Sequence, residues 1–228
     1  MFRVSNMLLF FLLFVFSSYS NAGLQINKTR VIMLDSQEST AVKISNKKDI
    51  VYGVQTWIDK ISGKEELMTF PSLFTVSKSQ PQSLKIIRTE QLNRNMKKEE
   101  LYWLNVQEIP PKQNDLSSSK IQLAVRTKIK IIVRPNNLSE SRTNAESNLN
   151  IKKVDRHLLI ENPTPYFFFA YKIVDVNGKE QIENKLNIIY PEKSFKIDNN
   201  LHIRKGDCLE VYYINDYGAE NKVKIKVE

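Results

Sequence analysis

Leu101 to Ile109 (LYWLNVQEI), closed by Pro110-Pro111, and Ile121 to Val133 (IQLAVRTKIKIIV) both read as β-strands. In the second, Ile121, Leu123 and Val125 alternate with Gln122, Ala124 and Arg126, so three apolar side chains leave one face. Working outward, the alternation recurs at Thr40, Val42 and Ile44, at Tyr52, Val54, Thr56 and Ile58, and in the short run Ser83 to Arg88. Turn-forming clusters separate the runs, such as Asn46-Lys47-Lys48-Asp49 and Ile61-Ser62-Gly63-Lys64. About seven short strands in about 100 residues is the count of an immunoglobulin-like sandwich. No apolar period of 3.6 stands out, and the polar stretch Gln91 to Glu100 has room for a turn of helix at most.

A second series follows Arg134-Pro135-Asn136-Asn137. The segment to Asn150 is rich in Ser, Asn and charge and reads as linker plus loop. Strands are expected at Leu149–Val154, His157–Glu161, Tyr166–Val176, Leu186–Tyr190, Ser194–Ile197, Leu209–Ile214 and Lys222–Val227, with turns at Val176-Asn177-Gly178-Lys179 and Asp216-Tyr217-Gly218-Ala219. The expected fold is all-β, two tandem immunoglobulin-like β-sandwiches, with the first domain at 23–137 and the second at 138–228.

Residues 1–22 read as a secretory signal peptide. Arg3 gives a basic start, Met7 to Phe16 (MLLFFLLFVF) is unbroken apolar, and Ser20-Asn21-Ala22 is a small-residue cleavage site. The apolar run is shorter than the roughly 20 residues a membrane span needs. Cleavage after Ala22 is expected, and no later stretch is long enough to cross a bilayer, so no stable membrane insertion is expected.

The formal charge is +9, with 34 basic and 25 acidic residues among 228. The lysines are spread along the chain rather than gathered in one run, and an exported protein meets little nucleic acid. They read as solvated strand edges that discourage sheet-to-sheet association. Cys208 is the sole cysteine, so no internal disulfide forms and stability must come from packed cores. In Asp-Cys-Leu-Glu-Val-Tyr-Tyr-Ile it reads as a buried small hydrophobe on a strand.

Nothing points to an enzyme. His157 and His202 are the two histidines, and neither sits in a spaced metal motif; no GxSxG elbow and no phosphate-cradling glycine loop is present. No catalytic residue, metal or cofactor is expected.

An ordered set of motifs remains. It comprises Asn27-Lys28-Thr29-Arg30-Val31-Ile32, Gln55-Thr56-Trp57-Ile58-Asp59, Phe70-Pro71-Ser72-Leu73-Phe74, the Leu101–Pro111 run and the Ile121–Pro135 run. The second half adds Glu161-Asn162-Pro163-Thr164-Pro165-Tyr166 and Tyr213-Ile214-Asn215-Asp216-Tyr217-Gly218. In this order and spacing the set resembles the PapD-like periplasmic pilus chaperones of the chaperone–usher pathway, over nearly the whole chain from Leu24. Asn105–Pro111 followed by Thr127–Pro135 is its most specific part.

The resemblance implies two domains at an angle around a cleft, and a periplasmic protein that caps pilus subunits and delivers them to an outer-membrane usher. It implies that Arg30 and Lys130 anchor the subunit's C-terminal carboxylate. It implies that Ile121, Leu123 and Val125 form a strand lent to the subunit, whereas alternation by itself favours the ordinary role of core residues. Lys130 has the opposite parity from those three, so a twist or bend must reconcile the two roles. Glu99, Arg134 and Asp216 match an interdomain charge network. The sequence departs from the family pattern at Pro71-Ser72, at Lys97-Lys98-Glu99-Glu100 and in lacking a cysteine pair. The short segment Lys112 to Lys120 fits the short-loop class, whose clients build rod-like pili. A self-capping dimer of the free protein stays open, as does the alternative of a secreted immunoglobulin-like adhesin or structural pilus component.

Overall fold

A computed structural model of the chain describes residues 23–60, 66–78, 80–89, 96–112, 123–175, 181–183, 188–198 and 203–228. The expected signal peptide, Ile121, His202, the turns at 61–64 and 176–179 and most of the 112–120 segment lie outside them. In chain order the strands are β1 (Leu24–Ile26), β2 (Arg30–Leu34), β3 (Ser39–Asn46), β4 (Tyr52–Lys60), β5 (Leu67–Phe70), β6 (Leu73–Val76), β7 (Gln82–Arg88), β8 (Glu100–Ile109) and β9 (Arg126–Arg134). After three short 3-10 turns come β10 (Asn150–Val154), β11 (His157–Asn162), β12 (Ala170–Asp175), β13 (Gln181–Glu183), β14 (Lys193–Asp198), β15 (Cys208–Ile214) and β16 (Glu220–Lys226).

The first nine strands form a sandwich of sheets ordered β1-β3-β7-β5 and β2-β9-β8-β4-β6. The rest form sheets ordered β10-β11-β14 and β13-β12-β15-β16. The architecture is therefore all-β and built of sandwiches, as the alternation required. Inward residues fill two separate cores. The first includes Val42, Ile44, Val54, Leu84, Ile86, Leu104, Ile129 and Ile131. The second includes Ile151, Leu158, Ile160, Ile173, Leu209, Val211 and Ile225. A third, smaller cluster of Leu101, Ile132, Phe167 and Phe169, with Ile32 and Ile188 against it, joins the two halves.

Most strand pairs are antiparallel, but β2 runs parallel to β9, with Arg30 opposite Lys130 and Leu34 opposite Arg134. This pairing brings the beginning of the first sandwich to its end and places both cations on one outer face.

Four expectations need correction. The strand expected from Ile121 begins at Arg126; Leu123 to Val125 carry no strand assignment, although the Glu108 amide still donates to the Val125 carbonyl at 2.9 Å. Beyond that bond β8 has run into Pro110-Pro111, whose prolines offer no amide to extend the ladder. The segment after Arg134 is not a loose linker: 3-10 turns at Asn136–Leu138, Glu140–Arg142 and Ala145–Asn148 bury Arg142, Ala145 and Glu146. The run expected from Tyr166 is irregular until Ala170, with Phe168 bridged singly to Ile189, the one bridge among the described residues of the strand expected at 186–190. Cys208 is exposed rather than buried. Leu209, Val211 and Tyr213 take the inward phase of β15, which leaves Cys208 on the outward phase opposite Lys226.

Folded protein should therefore react with one equivalent of a thiol reagent without denaturant. A thiol that reacts only after unfolding would restore the buried assignment.

Candidate functional site

β9 carries two sets of side chains. Ile129, Ile131 and Val133 point into the first core, while Lys130, Ile132 and Arg134 sit on the opposite phase, facing the second half of the chain. Leu123 and Val125 share the phase of Ile129 and Ile131 but lie past the end of the core, 76% and 49% exposed. Within β9 the period of two puts Ile129, Ile131 and Val133 on the sandwich's inner phase and Lys130 on its outer one. Ile121, the third residue expected on this edge, lies outside the described residues.

On the outer phase, Arg30 and Lys130 stand side by side. The Arg30 guanidinium donates from Nη1 to the Ile214 carbonyl at 3.2 Å and lies 4.9 Å from the centre of the Phe169 ring. The Lys130 ammonium lies 5.0 Å from the Trp103 ring and 5.1 Å from the same Phe169 ring. Aromatic faces attract cations without neutralising them. Among the described residues, neither cation belongs to an ion pair, and the Arg30 Nε is buried with no hydrogen-bond partner. Burial pushes the Lys130 pKa below its ordinary value and the field of Arg30 pushes it further. Burial also lowers Arg30, offset in part by Asp216 and reinforced by Arg142. Two partly desolvated cations with a free donor direction are chemically disposed to take a carboxylate, because charge-assisted hydrogen bonds are the stronger kind.

Glu99, Arg134 and Asp216 meet beside this pair. Arg134 Nε donates to Glu99 Oε1 at 2.6 Å, and Arg134 Nη2 donates to Asp216 Oδ2 at 2.7 Å. Glu99 is 3% exposed and takes the Phe167 amide on its other oxygen at 2.7 Å, while its own amide donates to the Pro165 carbonyl. Burial raises the Glu99 pKa despite the opposing pull of Arg134 and the Phe167 amide. Asp216 sits in the turn from Asn215 to Ala219. There Gly218 has φ +83 and comes so close to Thr29 that a Cβ would lie 2.6 Å from its hydroxyl oxygen, so only glycine fits.

The sequence reading missed Trp103, Phe169 and the Ile214 carbonyl. The run Phe167-Phe168-Phe169 was the available signal, since consecutive aromatics cannot all face one core. Among the described residues, no group of His, Cys, Asp and Glu side chains is arranged to hold a metal, and no helix is long and apolar enough to cross a membrane.

Two family models match the chain. Residues 23–139 match the pili and flagellar-assembly chaperone, PapD N-terminal domain, and residues 144–225 match the pili assembly chaperone PapD, C-terminal domain. The chain belongs to the PapD family of pilus-assembly chaperones. Among its relatives, the chaperone protein FanE of Escherichia coli is 34% identical over 93% of this chain and 94% of its own. The chaperone protein MrkB of Klebsiella pneumoniae is 30% identical over 97% of this chain and 98% of its own. Among solved structures, the SafB chaperone complex with the Salmonella enterica SafA pilin aligns at TM-score 0.77 and 22% identity, over 92% of this chain and 98% of that one. The periplasmic chaperone SfaE aligns at TM-score 0.69 and 29% identity, over 90% and 100%.

In this chaperone the two causes acting on Lys130 can be separated. Arg30→Met removes the second cause and leaves the burial, so the Lys130 pKa, followed by NMR of its side-chain nitrogen, should rise part of the way to the ordinary value. A pKa that does not move would show that the two cations do not sense each other.

Proposed function

We propose that this protein is a periplasmic, non-enzymatic chaperone that caps pilus subunits by lending them a strand edge and hands them to an outer-membrane usher. The observation that carries this reading is the pairing of Arg30 with Lys130 in a cleft that offers them aromatic rings instead of a carboxylate. A subunit's C-terminal carboxylate supplies the missing charge. From that anchor the subunit's last strand runs along the exposed segment at Leu123 and Val125, where main-chain bonds give affinity and the alternating side chains enter the subunit's open core. Ile121, outside the described residues, is proposed as the third member of the apolar row. SafB, with which this chain shares its fold, was solved with a pilin, in keeping with such a client.

In this reading the first domain runs over 23–137 and the second over 138–228, and Glu99, Arg134 and Asp216 hold them at the angle that opens the cleft. The signal peptide is removed after Ala22 in export. An adhesin or structural pilus subunit is less well supported. The cation pair would have no purpose there, and family matches over both halves of the chain describe a chaperone.

Binding a carboxylate must raise the pKa of Lys130. A folded-state lysine whose pKa lies below its unfolded value is penalised while protonated, and that penalty fades as pH rises through the folded and then the unfolded pKa. A client carboxylate offsets the penalty, so complex formation should take up protons just below the ordinary lysine pKa. Calorimetry in buffers of different ionisation enthalpy measures this uptake.

Arg30→Ala or Lys130→Ala should abolish protection of subunits from periplasmic proteolysis while leaving the chaperone's melting curve unchanged. Each loses one charge-assisted bond, about 1.5–3 kcal/mol. If both variants still protect subunits, the anchor assignment is wrong. Protein recovered from the periplasm should begin at Gly23, and retention of Met7 to Phe16 would contradict the export reading.

A further inference from the structure

The segment between the two sandwiches buries an ion pair that the known elements of the site do not use. Arg142 is 8% exposed and Glu146 is 2% exposed. The Arg142 fork donates to both Glu146 oxygens, Nη1 to Oε2 at 3.0 Å and Nη2 to Oε1 at 2.6 Å. Its Nη2 also lies 3.6 Å from Asp216 Oδ1, while Asp216 Oδ2 takes Arg134. The signs alternate along an unbroken row: Glu99, Arg134, Asp216, Arg142, Glu146. The Tyr166 ring lies 5.9 Å from the Arg134 guanidinium and 5.5 Å from that of Arg142, and the Phe168 ring lies 5.2 Å from Arg142. The Tyr166 hydroxyl donates to the Leu138 carbonyl at 2.8 Å and lies 2.6 Å from the Ser141 hydroxyl, which pins the same segment.

We propose that Arg142 and Glu146 are positioning residues of the cleft: through Asp216 they hold the Asn215–Ala219 turn, and with it the Ile214 carbonyl, against Arg30. Buried charges destabilise unless they are paired, so this pair has to be explained by what it holds. Asp216 alone would be shared between Arg134 and solvent. Arg142 fixes its second oxygen, and Glu146 balances Arg142 so that the arginine does not draw Asp216 away from Arg134. The consequence reaches Arg30 over a short path, because Ile214 ends β15 two residues before Asp216 and Gly218 of the following turn packs on Thr29 beside Arg30. Burial disfavours the Arg142 charge, and its bond to Glu146 with the fields of Glu146, Asp216 and Glu99 more than offsets that. The benefit to carboxylate binding rests on the function proposed above; the hold on the turn does not.

The test replaces the pair by Arg142→Met with Glu146→Met, since an apolar substitute for a buried ion pair commonly leaves a protein folded. Glu146→Gln, nearly isosteric, is the second variant. Spin labels on Cys208 and on an introduced Lys43→Cys, both exposed and in different halves, report the interdomain distance. Acetate, as the smallest carboxylate, is titrated while the Lys130 side-chain signal is followed. The double variant should broaden the distance distribution at an unchanged melting curve and weaken acetate binding about fivefold, whereas Glu146→Gln, which leaves the buried Arg142 charge without its partner, should broaden the distribution and also melt lower. The loss should shrink when Asp216→Asn is already present, because the pair acts through Asp216. An unchanged distance distribution and acetate affinity in folded variants would overturn the proposal. If acetate fails to bind even the parent protein while the distances broaden, the positioning role stands and the carboxylate anchor falls.

Discussion

The first sandwich and the cleft beside it both depend on the two-residue period of strand β9. Because successive side chains leave opposite faces, Ile129, Ile131 and Val133 must enter the core wherever Lys130, Ile132 and Arg134 do not. One strand therefore seals the first sandwich, presents Lys130 beside Arg30, contributes Ile132 to the apolar contact between halves, and ends on the arginine that is ion-paired to both. Upstream, the same phase that fills the core at Ile129 is left uncovered at Leu123 and Val125, because the core has ended there. A one-residue slip would bury Lys130 and expose Ile131, so the register is held by the core itself.

What holds the two halves together differs from what orients them. Leu101, Ile132, Phe167 and Phe169 are buried between the halves, and full burial of such side chains contributes about 1.5–3 kcal/mol each. Apolar contact is non-directional. The ion row is directional but pays desolvation on every member, visible in the raised pKa of Glu99, so its net contribution to cohesion is small. Its contribution is geometric: Glu99 gains the Phe167 amide and Arg134, and Asp216 brings its turn to Arg134. Neither the apolar cluster nor the ion row uses the Lys130 ammonium or the Arg30 Nε.

Much of this was legible in the sequence. Alternation marked the strands near Thr40–Ile44, Tyr52–Ile58, Ser83–Arg88 and Leu101–Ile109, and the first core follows from them, whereas β5 and β6, four residues each, carried too little pattern to be read. The parallel pairing of β2 with β9 was not legible from pattern, because nothing local ties Arg30 to Lys130; only the resemblance joined them. The edge at Leu123 was ambiguous for a physical reason, since the phase that serves a core and the phase that serves a partner are the same. Cys208 was misread because strand identity was weighed without strand phase. Arg142 and Glu146 were hidden by composition. A segment rich in Ser and Asn reads as loop, and Arg142 and Glu146 lie in two successive 3-10 turns, so only their spacing of four residues hinted at a pair.

Ile131 serves the protein's own core, whereas Leu123, upstream in the same alternation, is proposed to serve a partner. The most direct measurement compares Leu123→Glu with Ile131→Glu by thermal melting and by pull-down of subunits. An unpaired carboxylate forced into an apolar core is a large-effect substitution. The account predicts that Ile131→Glu unfolds the first domain, whereas Leu123→Glu melts like the parent protein and retains no subunit. A collapsed melt for Leu123→Glu, or a normal melt with subunits still bound, would contradict it.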